Sequence, residues 1–318
     1  MLEDTGFLDD IQDEMTTGFL DDLEDDSESG TDKVSYRPEI HIGSSEDMSE
    51  VEDESVHLIV TSPPYNADWS YGSHDDDMDY AEEYFPMLAR VFLECHRVLV
   101  PGGRMVVNTP SLVRDGRDGG FPIAAHIETM INDRTTPFQF AYEQNHDAIA
   151  ELKINTDFAT REWIVWNKGF NTDGLAPNGS YPKPWGILLN NMHEVAVVYQ
   201  KEGSRDVSEI DDDVKESSEI NKDSQDLCDD VWDISPESWD FDNEDESVPV
   251  FPEEFVKRCV KLWSYEGDTV LDPFGGRGTT AKVSKDMNRH SIIYEKREDI
   301  VDEIKEYVGY SQSGLEQW

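Results

Sequence analysis

The chain contains 318 residues, and its 71 acidic residues outnumber its 26 lysines and arginines to give a formal net charge of −45. This length suits one α/β domain of usual size with tails, and no apolar run reaches the roughly 18 residues of a membrane-spanning helix. The acidic N-terminus is unlike a signal peptide. Three scattered cysteines fit neither a disulfide framework nor a zinc site, so we expect a cytoplasmic protein without a metal.

The acidic residues are concentrated in two tracts. About 39 of the 71 lie in residues 1–54 and 202–247, yet the rest of the chain is acidic as well. This composition suits a protein that works in molar salt, where the Debye length falls to about 3 Å and repulsion between exposed charges is screened. Disordered acidic tails on an ordinary protein are the alternative interpretation.

The first tract contains a repeat. Residues 5–14 (TGFLDDIQDE) recur at 17–26 (TGFLDDLEDD), and neither copy has enough apolar residues to bury a core. We therefore predict a disordered acidic tail over residues 1–36. A predicted strand follows at residues 39–43 and ends at a glycine, just before Ser44.

A second predicted strand, Leu58-Ile59-Val60, ends in the segment TSPPYN at residues 61–66. Two prolines cannot continue a strand ladder, so the chain must leave the sheet in a stiff turn. The candidate catalytic residues of this turn are Ser62, Pro63, Pro64 and Tyr65. Their hydroxyl, carbonyls and aromatic ring suit one task, which is to accept hydrogen bonds from an exocyclic amino group while stacking on its ring. An ordinary turn after a strand is the alternative.

Between residues 80 and 262, helical and extended patterns alternate. Apolar residues at helical spacing predict helices, and short apolar runs predict strands. The predicted helices are 80–99, 122–131 and 251–262, and the predicted strands are 104–108, 162–167 and 195–200. Residues 202–247 are predicted to be an acidic insertion.

Two loops of this region are candidates for contact with nucleic acid. One contains Arg114 and Arg117, which could hold phosphates, with solvated charge as an equal alternative. The other, residues 179–185, combines Lys183 with Trp185, and an aromatic ring beside a lysine suits stacking on bases. Packing of Trp185 against the protein is the alternative there.

Residues 269–280 (TVLDPFGGRGTT) predict a strand, a glycine turn and the start of a helix. The glycines allow a close approach of the backbone to a ligand, and Thr279 could cap the helix. The next predicted strand, 291–294, ends at Glu295. An acid at this position binds a nucleotide ribose in doubly wound folds, whereas Asp272 at the first strand's tip indicates a cationic ligand end.

The two motifs together carry a family resemblance. TSPPYN upstream of LDPFGGRGTT resembles the S-adenosylmethionine-dependent amino-group DNA methyltransferases, in the permuted (beta) order in which the catalytic motif comes first. The resemblance extends roughly from residue 40 to 308, and the composition is similar to that of members from halophilic archaea or their viruses. Weaker matches are Trp166-Asn167-Lys168, His193-Glu194-Val195 and Phe251-Pro252.

The resemblance implies which residues hold S-adenosylmethionine. They are Asp272, Pro273, Phe274, Gly275, Gly276, Gly278 and Thr279 of the glycine turn, together with Glu295 and Phe251. Ser44 stands where the family often has an acid near the adenine. Lys168 is added to the residues expected to contact DNA.

The implied fold is α/β, with a doubly wound, mostly parallel seven-stranded sheet of the Rossmann-like methyltransferase type, circularly permuted. Its catalytic half would be residues 37–201 and its cofactor half residues 248–318, with the acidic insertion at the usual target-recognition position. Ligand sites in such sheets lie at the carboxyl ends of the strands. One cleft should therefore hold both motifs and Glu295.

The implied reaction is methylation of the exocyclic N4 amine of cytosine in double-stranded DNA, since the resemblance links serine at the first position of the turn with cytosine. The open alternatives are an adenine-N6 DNA methyltransferase, an RNA methyltransferase, and a non-catalytic acidic protein that binds the cofactor or mimics DNA. A cognate restriction endonuclease is a possible partner, and the oligomeric state stays open.

Overall fold

The computed structural model describes residues 36–66, 70–71, 74–75, 78–113, 120–132, 154, 156–169, 178–240 and 247–309. The predicted tail as far as residue 35, with its repeat, lies outside these residues, as do Arg114 and Arg117.

The described residues form fourteen strands. They are β1 (Glu39–Ile42), β2 (Val56–Thr61), β3 (Ser70–Tyr71), β4 (His74–Asp75), β5 (Leu99–Pro110), β6 (Ala159–Asn167), β7 (Asn178–Gly179), β8 (Ile187–Leu188), β9 (His193–Gln200), β10 (Val231–Asp233), β11 (Glu237–Asp240), β12 (Ser247–Val250), β13 (Thr269–Asp272) and β14 (His290–Glu295).

The helices connect these strands and flank the sheet. They are α1 (Phe85–Val98), α2 (Ile123–Ile131), α3 (Asp212–Ser217), α4 (Glu253–Trp263), α5 (Thr279–Asp286) and α6 (Val301–Tyr307), with a π-helical turn at Tyr80–Tyr84 and 3₁₀ turns at Gln225–Cys228 and Glu298–Ile300. α1 has a proline in its first turn, where its missing N–H is tolerated.

The central sheet of the described chain has eight strands in the order β1-β14-β13-β2-β5-β9-β6-β10. The first five strands in this order, from β1 through β14, β13 and β2 to β5, are parallel to their neighbours. β10 is parallel to β6. Within this sheet, β9 alone runs antiparallel to its two neighbours, β5 and β6. The predicted mostly parallel α/β architecture is confirmed.

Alternation along the central strands places core residues on both faces of the sheet. On β2, Ile59 packs into one cluster with α1 and α2, whereas Leu58 and Val60 face a second cluster that contains Phe255 of α4. Both faces are apolar because a parallel sheet is covered by helices on both sides. The result is a three-layer arrangement that leaves the strand ends free to form a site.

The predicted number of seven strands is wrong by one among the described residues. The additional strand, β10, lies in the segment predicted to be an acidic insertion, and it pairs with β6 from Val231 to Asp233. Its central residue, Trp232, is 1% exposed and packs edge-on against Phe255 at 5.3 Å. Three residues inside an acidic tract have too little apolar periodicity to be predicted as a strand.

The same segment is also joined to the core at the opposite, amino edge of the sheet. Arg205 forms a bidentate ion pair with the buried Asp268, with both N–O distances at 2.5 Å, and its guanidinium lies over the Tyr265 ring. Asp268 also accepts the Tyr265 N–H at 2.7 Å. Bidentate geometry makes such a pair stronger than an ordinary surface contact.

Candidate active site

The two sequence motifs meet at the carboxyl edge of the sheet. β2 ends at Thr61 and β13 ends at Asp272, and these strands are parallel neighbours. The Thr61 hydroxyl donates to Asp272 Oδ1 at 2.8 Å, so the last residues of the two strands are directly bonded. The predicted meeting of the two motifs at one edge is therefore seen in the structure.

Asp272 is 2% exposed, and its carboxyl group already has three donors. Besides Thr61, these are the Phe274 N–H at 3.0 Å and the Thr280 hydroxyl at 2.8 Å. Burial raises the pKa of Asp272 to about 6, although the three hydrogen bonds oppose that shift. The expected contact of Asp272 with a cationic ligand end stays a prediction. As it stands, Asp272 holds the glycine turn against β2.

The glycines of the turn serve two different purposes. A Cβ on Gly275 would lie 3.0 Å from Ile293 Cβ of β14, and one on Gly278 would lie 3.0 Å from Ile304 Cγ2 of α6. Those two glycines allow close packing within the protein. Gly276 differs, because its φ is +49° and the nearest atom to an added Cβ is 4.0 Å away. Open space for a ligand therefore lies beside Gly276.

Glu295, at the end of β14, faces the same turn. Its Oε2 accepts the Gly276 N–H at 2.8 Å and its Oε1 accepts the Arg297 N–H at 2.8 Å. The carboxyl is half-buried, and burial raises its pKa. A half-buried carboxylate beside an open glycine fits the ribose hydroxyls of a nucleoside cofactor.

The other predicted cofactor residues lie in different parts of the fold and differ in burial. Phe274 is partly buried against the core cluster of α1, and Pro273 is buried. Phe251 stacks on Phe255 at 5.2 Å, on the opposite side of β2 from that cluster. Ser44 follows β1 and donates to Glu46.

The expected role of Thr279 as a helix cap is wrong. Gly278 occupies the N-cap of α5 with φ of +90°, no side chain caps this helix, and Thr279 is its first residue. A left-handed N-cap excludes threonine on steric grounds, because only glycine adopts that conformation at little cost.

The TSPPYN turn is fixed by tyrosines and an asparagine that the sequence analysis did not select. The Tyr84 hydroxyl donates to the Pro64 carbonyl at 2.6 Å, and the Tyr80 hydroxyl donates to the Asn66 carbonyl at 3.1 Å. The Asn66 side chain exchanges two hydrogen bonds with the backbone of Met78, at 2.7 and 2.8 Å. These contacts hold Asn66 in a left-handed conformation with φ of +51°.

Ser62 and Tyr65 are part of a hydrogen-bond network with buried residues. The Ser62 hydroxyl is 2.9 Å from the Tyr65 hydroxyl, which donates to Glu194 Oε2 at 2.8 Å. Asn108 Nδ2 donates to the Tyr65 oxygen at 3.1 Å and to Glu194 Oε2 at 2.5 Å. The Lys168 ammonium is paired with Glu194 Oε1.

Asn108 and Glu194 belong to this network, and neither was predicted from the sequence to be a site residue. Asn108 lies near the carboxyl end of β5, and Glu194 lies at the start of antiparallel β9, opposite Pro110. The only sequence signal was the weak His193-Glu194 match. A strand that reverses direction brings its first residues to the catalytic edge, and the sequence did not reveal that reversal.

The predicted DNA-contacting residues have different surroundings. Lys168 is bound to Glu194 and lies over the Trp166 ring at 4.9 Å, so its charge has a partner inside the site. Lys183 and Trp185 are exposed on the β7–β8 hairpin, and Trp185 has φ of +99°. Packing of Trp185 in the interior is therefore excluded for this conformation.

Comparison with known proteins identifies this arrangement. The sequence matches the DNA methylase family N6_N4_Mtase over residues 56–306. The chain belongs to this family. It is 28% identical over 303 residues to the type II methyltransferase M.MjaI of Methanocaldococcus jannaschii, which covers 87% of this chain and 92% of that protein. The type II methyltransferase M.MthZI of Methanothermobacter thermautotrophicus is 26% identical over 294 residues, or 84% of this chain and 75% of that protein.

Solved structures show the same fold. A Thermus thermophilus protein that was crystallised with S-adenosyl-L-methionine aligns with a TM-score of 0.60 and 27% identity over 86% of this chain and 94% of that chain. The cytosine-N4-specific PvuII DNA methyltransferase aligns with a TM-score of 0.57 over 87% of each chain, at 16% identity, and shows likeness of fold alone. This chain is thus an S-adenosylmethionine-dependent DNA methyltransferase of the N6/N4 family.

Two features are absent from the described part of the chain. No helix among the described residues is long and apolar enough to cross a membrane. No group of three or more histidine, cysteine, aspartate or glutamate side chains in the described part of the chain is placed to hold a metal ion.

Proposed function

We propose that this DNA methyltransferase methylates the exocyclic N4 amine of cytosine, and that it belongs to the permuted beta class. The carrying observation is the Ser62 hydroxyl, which has two protein acceptors for its single proton, the Tyr65 oxygen at 2.9 Å and the Asn108 carbonyl at 3.3 Å. Either bond leaves oxygen lone pairs to accept from an amine. Serine at this position favours cytosine through the family link.

The proposed mechanism depends on positioning. When bound, S-adenosylmethionine would supply a methyl group on a positively charged sulfur. The target nitrogen would bond to the methyl carbon as the carbon–sulfur bond breaks, and the methylated amine would then lose one proton to solvent. Ser62 and the Pro63 carbonyl accept the hydrogens of the amine, which orients the nitrogen lone pair and stabilises the positive charge that grows on it. The Tyr84 and Met78 contacts keep this turn rigid.

The target base must leave the duplex to reach this edge of the sheet. We propose that the β7–β8 hairpin contacts the DNA there, because it leads into β9 only a few residues before Glu194. Residues 174–193 contain no aspartate or glutamate, in a chain with 71 of them. The exposed hairpin with Lys183 and Trp185 lies within this acid-free stretch, so it repels a polyanion less than an acidic surface would.

Hairpin variants test this contact. We expect Lys183→Ala and Trp185→Ala to weaken duplex binding several-fold, since base–aromatic stacking contributes about 1–3 kcal/mol. Lys222→Ala, at an exposed lysine of the acidic segment, is the matched control. Equal affinity of the Lys183 and Lys222 variants, with Trp185→Ala binding as wild type, would place the DNA elsewhere.

The target atom is tested by mass spectrometry of nucleosides from methylated DNA. N4-methylcytosine is expected. N6-methyladenine as the sole product would refute the cytosine assignment and favour the alternative, an adenine-N6 enzyme with the same chemistry.

The role of Ser62 is tested by Ser62→Ala. Its methylation rate should fall by roughly 10²-fold, as with loss of one aligned polar group at a transition state. S-adenosylmethionine affinity should change little. Ser49→Ala, at an exposed serine, is the control for the same substitution. A Ser62→Ala rate within twofold of wild type would remove Ser62 from the mechanism.

Three wider assignments are proposals. The relatives are named as type II methyltransferases, which supports a place in a restriction–modification system with a cognate endonuclease. The salt adaptation and the cytoplasmic location rest on composition alone.

A further inference from the structure

The hydrogen bonds behind Ser62 have a defined direction. An ionised carboxylate can only accept, so the Tyr65 hydroxyl must donate to Glu194. The Tyr65 oxygen is then an acceptor, and it receives Asn108 Nδ2 at 3.1 Å and the Ser62 hydroxyl at 2.9 Å. The charge of Glu194 therefore fixes the orientation of the Tyr65 hydroxyl and makes the Tyr65 oxygen the nearer of the two acceptors for the Ser62 proton, the other being the Asn108 carbonyl at 3.3 Å.

Glu194 is an unusual residue to find at this position. It is 5% exposed, and burying a carboxylate is costly unless it is paired and hydrogen-bonded. Here the Lys168 ammonium, Asn108 Nδ2 and the Tyr65 hydroxyl together satisfy it. The pairing of β9 with β5 places Glu194 opposite Pro110, beside the proposed catalytic turn.

We propose that Glu194 is a positioning residue for methyl transfer, which acts on Ser62 through the hydroxyl of Tyr65. With Tyr65 committed as a donor to Glu194, the Ser62 proton is directed into the protein and the Ser62 lone pairs are available to the target amine. The negative charge also makes the Ser62 oxygen a stronger acceptor, because hydrogen bonds in a chain polarise one another. Tyr65 then has a function that its ring alone cannot supply. This inference rests on the proposed function, since it requires an amino group as the target.

The test is a double-mutant cycle on the single-turnover rate of methyl transfer to duplex DNA. Tyr65→Phe keeps the ring and removes the hydroxyl, whereas Glu194→Gln keeps the shape and removes the charge. We expect each variant to be slower by about tenfold or more, and the double variant to be no slower than the slower single variant, because groups that act as one unit are non-additive.

Two controls separate a positioning role from a structural one. Glu128→Gln alters another buried carboxylate, on α2, which Thr160 and Asn132 hydrogen-bond. A change in stability is acceptable for this variant, but its methyl-transfer rate should stay at the wild-type value. The variant Lys168→Met/Glu194→Gln removes the ammonium that Glu194→Gln leaves unpaired, and its rate should stay low.

The outcomes are distinct. Unchanged S-adenosylmethionine affinity with a non-additive loss of rate supports the inference. Additive losses, a wild-type rate for Glu194→Gln or Tyr65→Phe, or recovery in the Lys168→Met/Glu194→Gln variant would overturn it. Absence of amine methylation by the wild-type protein would instead refute the proposed function.

Discussion

Asp272 illustrates how a single buried side chain organises the cofactor edge. Its carboxyl group accepts hydrogen bonds from β2, from the glycine turn and from α5, through Thr61, Phe274 and Thr280. β2 is thereby fixed to the glycine turn and to α5, although Thr61 and Asp272 are 211 residues apart in the chain. Its replacement by alanine would leave buried donors unpaired, at a cost of about 1–3 kcal/mol for each.

The raised pKa of Asp272 makes this group's contribution to stability depend on pH. Its pKa is about 6 in the folded protein against an ordinary value of 3.8. Between pH about 4 and 6 the folded state therefore holds a proton that the unfolded chain has lost, so the free energy of unfolding falls as pH rises. The difference between these two pKa values corresponds to roughly 3 kcal/mol at most.

Asp272→Asn cannot titrate and should lack this dependence. We expect the free energy of unfolding of wild type minus that of the variant to fall by up to roughly 3 kcal/mol from pH 4 to 7. Urea denaturation at constant ionic strength measures it, with Asp226→Asn at an exposed acid as the control. A difference that stays constant or rises with pH would contradict the assignment.

Gly276 and Gly278 form a matched pair for substitution by alanine. Both have positive φ, but only Gly278 lacks room, since a Cβ there meets Ile304 and Val308. We expect Gly278→Ala to lower the free energy of unfolding by roughly 2–4 kcal/mol, from strain and overpacking. Gly276→Ala should cost about 1–2 kcal/mol of stability, from strain alone, but should weaken S-adenosylmethionine binding more than Gly278→Ala does.

Denaturant titration and calorimetric titration of the cofactor measure the two effects. If Gly276→Ala bound the cofactor as wild type does, the space beside Gly276 would not be the cofactor site.

At the scale of elements, the short strand β10 attaches an acidic segment to the sheet. Trp232 is buried against Phe255, and its Nε1 donates to the Asp229 carbonyl at 2.8 Å. Arg205 joins the same segment to Asp268 at the other edge. The strand has only three residues, yet Trp232 extends the second core cluster beyond β6.

Trp232→Ala should therefore destabilise the protein by about 3–5 kcal/mol, as expected for removal of a buried tryptophan. Trp163 lies on the neighbouring strand β6 and is 44% exposed, so Trp163→Ala is the matched control, with an expected cost of about 1 kcal/mol or less. Urea denaturation measures the free energy of unfolding of each variant. Equal costs would mean that the segment is an appended insertion that the fold does not need.

At the scale of the whole molecule, the net charge of −45 dominates. Self-repulsion between exposed acids destabilises a compact chain, and salt screens it over distances that shrink to about 3 Å at 1 M. If the composition is an adaptation to salt, the melting temperature should rise by many degrees between 0.1 and 2 M potassium chloride.

The control is the melting temperature in a series of sucrose concentrations. Sucrose is excluded from protein surfaces and stabilises compact states without screening charge. A melting temperature that is highest at 0.1 M salt would favour the alternative interpretation, in which the acidic tracts are disordered tails on an ordinary protein.

The sequence alone was sufficient to predict the α/β class and the two strand-to-turn motifs. Local chemistry dictates these features: two prolines end β2, and a glycine turn follows the apolar strand β13 wherever the chain goes next. The carboxyl-end rule for parallel sheets then predicted that Ser62, Asp272 and Glu295 would lie at one edge.

Only the tertiary structure decided which groups surround those motifs. Glu194 reaches Tyr65 because β9 runs antiparallel to β5, and β10 joins the sheet because Trp232 finds Phe255 across 23 residues of chain. The occupied carboxyl of Asp272 and the packing around Gly278 were equally invisible, since they depend on Thr61 and on α6. Periodicity and turn chemistry act over a few residues, whereas these contacts join residues that are distant in sequence, and their partners are set by strand order and direction.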